Sequence, residues 1–406
     1  MKLKNHISIF LGALMPMLSV AQVSDKYVES DVVRLDDKKG ISLQTKVGDF
    51  LLKPYVLVQT AANFNYYDDE GLNLADQDKI ANIGFSIPYA CIGFSGKAFE
   101  KLTFNIVLNA AKSGGSLLQQ AWFDVNIHDA FRIRAGKFKV PYNQAYLMTL
   151  GETMFPSMPL SLTTTANVNM SLNAAPPTHG LGFDLGLQLH GLVHDKFLYQ
   201  AGVFNGTGIG TNNATKTMSD DHKALASLLY AGRVAFMPLG SMPSHQGSPT
   251  DLENNKLLFA ASANCNVEAE DETSNDFRTG VEASWLYKRL FLSGEFYLLN
   301  MNWTSVMQGV KDFNMIGGYA QMGYFVLPKL QVAVRYDWLN RNGMNRDGYL
   351  NDFSGGINYF FVNYHLKLQA MYQRLGKYGH ETQLDRDNDD TGLSTHMAMV
   401  LIQYSF

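Results

Sequence analysis

The chain has 406 residues, of which 46% are hydrophobic, 12% aromatic and only 17% charged, against about 25% charged in ordinary soluble domains. A mean hydropathy of −0.11 and a formal net charge of −4 exclude intrinsic disorder, which needs low hydrophobicity with high net charge. The pI near 6.2 gives no basic footprint for nucleic acid, and after residue 21 no run reaches the roughly 20 apolar residues of a transmembrane helix.

The first element in chain order has the layout of an export signal. Lys2 and Lys4 form its basic start, Ile7 to Leu18 its apolar stretch, and Ser19-Val20-Ala21 a small-residue cleavage site before Gln22. Residues 1–21 are therefore read as a signal peptide, 22–49 as a short periplasmic segment, and 50–406 as one barrel domain. Cys91 and Cys265 fall in strand-like runs far apart, with no Cys-x-x-Cys spacing. They read as small half-buried apolar side chains, with a structural disulfide as the alternative in a compartment that permits one.

From residue 50 onward the pattern is period-two alternation. In 277–287, Phe277, Val281, Trp285 and Tyr287 share one face while Arg278, Glu282 and Ser284 share the other. In 330–338, Leu330, Val332, Val334, Tyr336 and Trp338 oppose Gln331, Arg335 and Asp337. Such alternation predicts strands. Sixteen segments show it: 50–63, 82–95, 100–111, 117–127, 130–139, 180–191, 196–205, 226–237, 256–267, 277–287, 290–302, 314–326, 329–340, 353–361, 364–374 and 394–406. Segments of about ten residues are long enough to cross a membrane when tilted. Hydrocarbon leaves no partner for a free strand edge, so the sheet must close.

The connections alternate between short turns such as Lys288-Arg289 and Val362-Asn363 and longer polar loops. This is the layout of an outer-membrane barrel. The 238–255 link is long for the short-turn side, and 112–116 is short for the other. Aromatics near segment ends, among them Tyr66, Trp122, Tyr230, Trp285, Tyr324, Trp338 and Tyr404, suit interfacial girdles. Gly84, Gly93, Gly136, Gly294, Gly317 and Gly318 suit bulges or curvature. Phe406 ends the last segment on the face of Tyr404, Ile402 and Val400, and resembles the recognition strand read by the barrel-insertion machinery.

Sixteen strands leave an aqueous lumen. The polar face puts Lys53, Arg132, Arg134, Arg233, Arg278, Arg335 and Lys367 inside, with Asp124, Asp184, Glu282, Glu295 and Asp337. Seven basic against five acidic predicts at most a weak preference for anions. The longest connection, 140–179, is the third on the outward side. A loop of this length is usually functional, and it is expected to fold inward and narrow the barrel, or else simply to fill space against the wall. It carries no Lys or Arg, and Glu152 is its only acid.

Ala130-Phe-Arg-Ile-Arg-Ala-Gly-Lys-Phe-Lys-Val-Pro141 resembles the strand that leads into the third loop of phosphate-selective porins O and P, especially Bacteroidetes-type members. Gly40-Ile-Ser-Leu and Val203-Phe-Asn-Gly extend the likeness. The resemblance implies a trimeric outer-membrane channel in a Gram-negative bacterium, with Arg132, Arg134, Lys137 and Lys139 as the basic residues near the pore. The uncharged loop and near-balanced wall depart from the phosphate-selective pattern.

The Asp385, Asp387 and Asp389 array has calcium-like spacing, but Asp390 stands where a calcium loop has its glycine. It reads as a solvated acidic loop. His190 and His194 lack the glutamate of a zinc-protease motif, and no nucleophile elbow or Walker loop is present. No cofactor or metal is expected. The sequence thus predicts an all-β, sixteen-stranded antiparallel transmembrane β-barrel with an inward-folded third loop. Its expected activity is passive diffusion of small hydrophilic solutes, with Arg132, Arg134, Lys137, Lys139, Arg233, Arg278, Arg335 and Lys367 lining the pore or facing anions. The expected partners are outer-membrane lipid, the insertion machinery through Phe406, small solutes or anions, and two further copies of the chain. The alternatives are a barrel phospholipase or protease, and a surface adhesin.

Overall fold

The computed structural model describes residues 30–36, 40–45, 48–67, 81–99, 101–111, 116–166, 182–206, 228–267, 274–303, 313–340, 349–378 and 393–406. The signal segment 1–21 and the Asp385, Asp387, Asp389 array lie outside them. A short antiparallel hairpin, β1 (Ser30–Asp36) and β2 (Gly40–Thr45), comes first. Sixteen longer strands follow. They are β3 (Phe50–Tyr67), β4 (Ala81–Ala98), β5 (Leu102–Asn109), β6 (Leu118–His128), β7 (Phe131–Lys139), β8 (Phe183–Val193), β9 (Phe197–Phe204) and β10 (Leu229–Phe236). Then come β11 (Asn255–Asn266), β12 (Ser274–Tyr287), β13 (Leu290–Trp303), β14 (Phe313–Leu327), β15 (Leu330–Asn340), β16 (Tyr349–Val362), β17 (Leu366–Tyr378) and β18 (Leu393–Ser405).

From β3 onward each strand pairs antiparallel with the next, and β18 closes on β3, with Tyr404 opposite Val58 and Thr395 opposite Tyr67. Phe406 and Val56 complete the seam by exchanging backbone hydrogen bonds of 3.1 Å. All sixteen expected strands are present. The β1–β2 hairpin is additional, and it meets β3 only through Leu43 opposite Leu52 and Gln44 opposite Leu51.

The faces are inverted relative to a soluble protein. Large apolar side chains point outward, Phe85 at 92% exposure and Val234 at 60%, while Arg278, Asp337 and Gln331 are fully buried inside. Lipid is the only solvent that makes this arrangement favourable, since it accepts the apolar face and leaves the lumen to the polar one. Tyr66, Tyr230, Trp285, Tyr324 and Tyr404 stand outward as expected of girdle residues. Trp122 does not. It turns inward, where the Arg134 guanidinium lies 4.1 Å from its ring.

Phe99, His194, Asp195, Lys288 and Asn363, all in the short turns, take positive φ between 47° and 56°, as tight hairpins require. The strand glycines do not mark bulges. The register of β3 on β4 shifts instead between Gln59 and Ala61, around Pro88, which has no N–H to give the ladder.

Candidate functional site

Pro141 ends β7, since it cannot donate to a ladder. The chain then leaves the wall and crosses the lumen. A helical turn (Gln144–Leu147), a single tight turn (Leu150–Glu152), an extended run and a short helix (Leu160–Ala166) make up its described part. Irregular backbone inside a barrel needs partners for every N–H and C=O, and here the wall supplies them. The amides of Gln144 and Ala145 donate to the carboxylates of Glu282 and Glu295, the latter at 2.9 Å. Ser161 N–H meets both oxygens of Asp337 at 3.2 Å.

Carbonyls are held in the same way. Lys367 Nζ donates to Gly151 and Thr153 at 3.1 Å, Arg335 to Ser157 at 2.9 Å, and Arg278 to Thr165 at 2.8 Å. Asn358 and Gln369 both donate to the Met154 carbonyl. Apolar contacts fill the space between. Val140, Tyr142, Tyr146 and Leu162 of the loop pack with Tyr297 and Tyr319 of the wall, and Met154 and Phe155 with Phe291 and Leu286. Burial pushes the Tyr142 and Tyr146 hydroxyls well above the ordinary phenol range.

This placement revises the roles expected of the basic residues. Arg233, Arg278, Arg335 and Lys367 do point inward, but beneath the loop, where they are nearly or fully buried. Arg233 pairs with Glu282 through Nε at 2.8 Å. Arg278, Arg335 and Lys367 hold the loop directly, and Arg233 does so through Glu282, which takes the Gln144 amide. None of the four is on the lining of the cavity between the loop and the opposite wall. Arg132 and Arg134 both bind Asp124, at 2.9 and 3.0 Å, and His190 Nε2 joins the same carboxylate at 2.6 Å. Lys137 is buried at 1% exposure.

A cavity of about 580 Å³ lies between the loop and the opposite wall. Strands β3 to β6 contribute Tyr55, Tyr89, Asn105, Asn109, Gln119 and Gln120, and the loop contributes Tyr146, Thr149, Glu152 and Ser157. Lys139 is the one expected basic residue on this lining. Its ammonium reaches the carbonyls of Tyr146 at 2.7 Å, Met148 at 2.6 Å and Leu147 at 3.4 Å. It thereby satisfies the open end of the helical turn. Glu152 faces the same space, its carboxylate accepting from Thr149 Oγ1 at 2.8 Å. Burial raises the Glu152 carboxyl above its ordinary range, against the opposing pull of Thr149, Lys367, Ser244 and Lys139.

The long link on the short-turn side also enters the lumen. Gln246 N–H donates to the Glu152 carbonyl at 3.0 Å, and Gln246 Oε1 accepts from Met154 N–H at 2.9 Å. Tyr364 donates its hydroxyl hydrogen to Gly247, whose φ is +87°. His245 binds Asp251 at 2.6 Å, and burial holds the imidazole below its ordinary range. The length of residues 238–255 on the side of short turns was the one sequence signal for this second inward segment. Cys91 and Cys265 form no disulfide with each other.

A family model described as phosphate-selective porin O and P matches residues 58–406. No curated protein matches the chain. Among solved structures it is similar to an anion-selective porin from Comamonas acidovorans, at 11% identity and TM-score 0.60 over 88% of this chain and 100% of that one. It is also similar to the outer membrane channel DcaP of Acinetobacter baumannii, at 10% identity and TM-score 0.54 over 90% of this chain and 99% of that one. Vibrio cholerae OmpT in a trimer form gives 10% identity and TM-score 0.53, over 88% of this chain and 99% of that one. Likenesses at such identity show the barrel fold alone.

Proposed function

The chain belongs to the phosphate-selective porin O and P family, outer-membrane porins of Gram-negative bacteria, and we propose that it passes small hydrophilic solutes by passive diffusion with only a weak preference for anions. The observation that carries this reading is the state of Lys139. It is the basic residue on the described lining, and its ammonium is already directed at three carbonyls. A phosphate in the passage meets amides and hydroxyls more than cations, whereas strong anion recognition uses charge-assisted donors. Selectivity in channels follows charges gathered at a constriction, and here one cation faces one carboxylate. Porins are channels, so the barrel-enzyme alternative is set aside.

A homotrimer is part of the proposal, supported by the barrel's likeness to a structure solved in a trimer form. So is a signal peptide over 1–21 followed by a periplasmic segment to residue 49. Docking of the last strand on the insertion machinery is supported by the outward row of Val400, Ile402 and Tyr404 that ends at Phe406. Planar-bilayer conductance of the mature protein tests the whole reading, with reversal potential in a KCl gradient and phosphate as competitor. Weakly selective steps in groups of three are expected. Small anion-selective steps blocked by phosphate would replace this reading with a phosphate channel, and a folded protein without steps would end the porin reading.

A further inference from the structure

We propose, resting on the porin reading above, that the passage contains a binding subsite for a neutral polyhydroxylated ring, a saccharide, built by Tyr55, Tyr89, Gln119 and Gln120 on the wall and Glu152 on the loop. The cavity of about 580 Å³ lies within the roughly 300–1,000 Å³ of small-molecule sites. Its wall combines two chemistries that a sugar ring needs together.

One is apolar. Tyr55 and Tyr89 stand on neighbouring strands beside a small buried cluster of Leu57, Cys91 and Val107. Rings carrying a polar tip on an apolar body suit a ligand with C–H faces and hydroxyl edges. Neither tyrosine hydroxyl has a protein partner among the described residues.

The other is a set of uncommitted amides. Gln120 Oε1 is occupied by Asn105 Nδ2 and Trp122 Nε1, both at 3.2 Å. Gln119 Oε1 accepts from the Cys91 thiol at 3.5 Å, and Asn109 Oδ1 accepts from the backbone of Ala90 and Ala111. In each case the carbonyl end is fixed, so the NH2 group is the free end, and none of the three donates to a described protein acceptor. An amide with a pinned oxygen is a donor of set orientation. The wall is therefore donor-rich.

Across the passage the acceptor is Glu152, while Lys139 spends its hydrogens on the loop's own carbonyls. Donors on one side and a carboxylate on the other match vicinal hydroxyls, which both accept and donate. An anion would gain from the amides, but the Lys139 and Glu152 charges on the same lining offset one another and leave no net charge to hold it. The geometry selects a neutral ligand.

The test uses the full folded porin in planar bilayers. Maltose is the probe, and a polyethylene glycol of equal size and inorganic phosphate are the comparisons. Maltose is expected to lower the KCl current saturably, and polyethylene glycol only in proportion to its effect on bulk conductivity. Tyr55→Ala and Gln119→Leu should each raise the half-blocking concentration at least about fivefold, as loss of one ring contact or one hydrogen bond implies. Tyr55→Phe, which keeps the ring, should raise it less. Heat-modifiable migration on gels checks that each variant is folded. Open channels on which maltose acts no more than polyethylene glycol would overturn the subsite and leave the porin reading standing. Saturable block by phosphate but not maltose, or block unchanged in both Tyr55→Ala and Gln119→Leu, would also overturn it. A folded protein with no channels would sink both.

Discussion

Both carboxylate oxygens of Asp337, on β15, accept the amide hydrogen of Ser161 at 3.2 Å, so a wall residue caps a loop helix across the lumen. Helix N-termini leave unpaired donors that a capping oxygen satisfies. The same relationship recurs along the loop, where Glu282 and Glu295 take amides and Lys367, Arg335 and Arg278 take carbonyls. On β12, β13, β15 and β17 the wall's charge serves as a set of backbone partners for 141–166.

Removing the Asp337 cap should loosen the loop without opening the barrel. Loss of such a cap typically costs about 1–2 kcal/mol. Asp337→Ala is expected to give larger and noisier single-channel steps and faster proteolysis within 150–166. Asp337→Asn, which keeps an oxygen at the same place, should lie nearer the parent. Equal, quiet conductance in all three proteins would show that the loop does not depend on this contact.

Gly280 on β12 lies directly beneath Asn143, whose side chain is fully buried and accepts from Ser262 Oγ at 2.7 Å. A Cβ on Gly280 would stand 2.7 Å from Asn143 Cγ, closer than real contacts allow. Gly280→Val should therefore push this part of the loop off the wall, an overpacking cost of about 1–3 kcal/mol. The expected product is a barrel that still migrates as folded on unheated gels, with raised conductance. A parent-like conductance would mean that Asn143 yields without moving the loop.

Lys139→Met should make the passage more cation-selective, because Glu152 would then face it without its counter-charge. The reversal potential in a KCl gradient is expected to move toward potassium by a severalfold change in permeability ratio. The three carbonyls it serves would also lose their donor. No shift in reversal potential would place the selectivity outside this passage.

The sixteen strands were legible because lipid on one side and water on the other impose a period of two along every crossing. The segment 277–287 became Ser274–Tyr287, and 394–406 became Leu393–Ser405. The same periodicity also put Arg278, Arg335 and Lys367 on the inward face. It could not say what they touch there. Arg278 finds the carbonyl of Thr165, 113 positions away on a loop with no periodicity at all. Gly317 reads as a bulge or curvature; its register is unbroken, so no bulge sits there, and a Cβ would meet Ser161 Cβ at 3.0 Å. Alternation encodes a face; the partner across the lumen leaves no local pattern.

Glu152 makes the passage pH-sensitive. Burial raises its carboxyl above the ordinary range, with Lys367 and Lys139 pulling the other way. As pH falls from neutral through that raised value, Glu152 takes up a proton and Lys139 keeps its charge. Anion permeability should therefore rise in mild acid, at a pH above that of a free glutamate, and Glu152→Gln should show the acid-form selectivity at every pH. The stability consequence has the opposite sign to that of an ion-paired carboxylate. The desolvation cost is fully present above the raised value and is relieved as pH falls through it. Glu152→Gln should then hold the loop more firmly than the parent at neutral pH, by slower proteolysis of 150–166, with the difference vanishing in acid. Reversal potentials that do not change between neutral and mildly acidic pH in the parent would show that this carboxylate does not govern the passage.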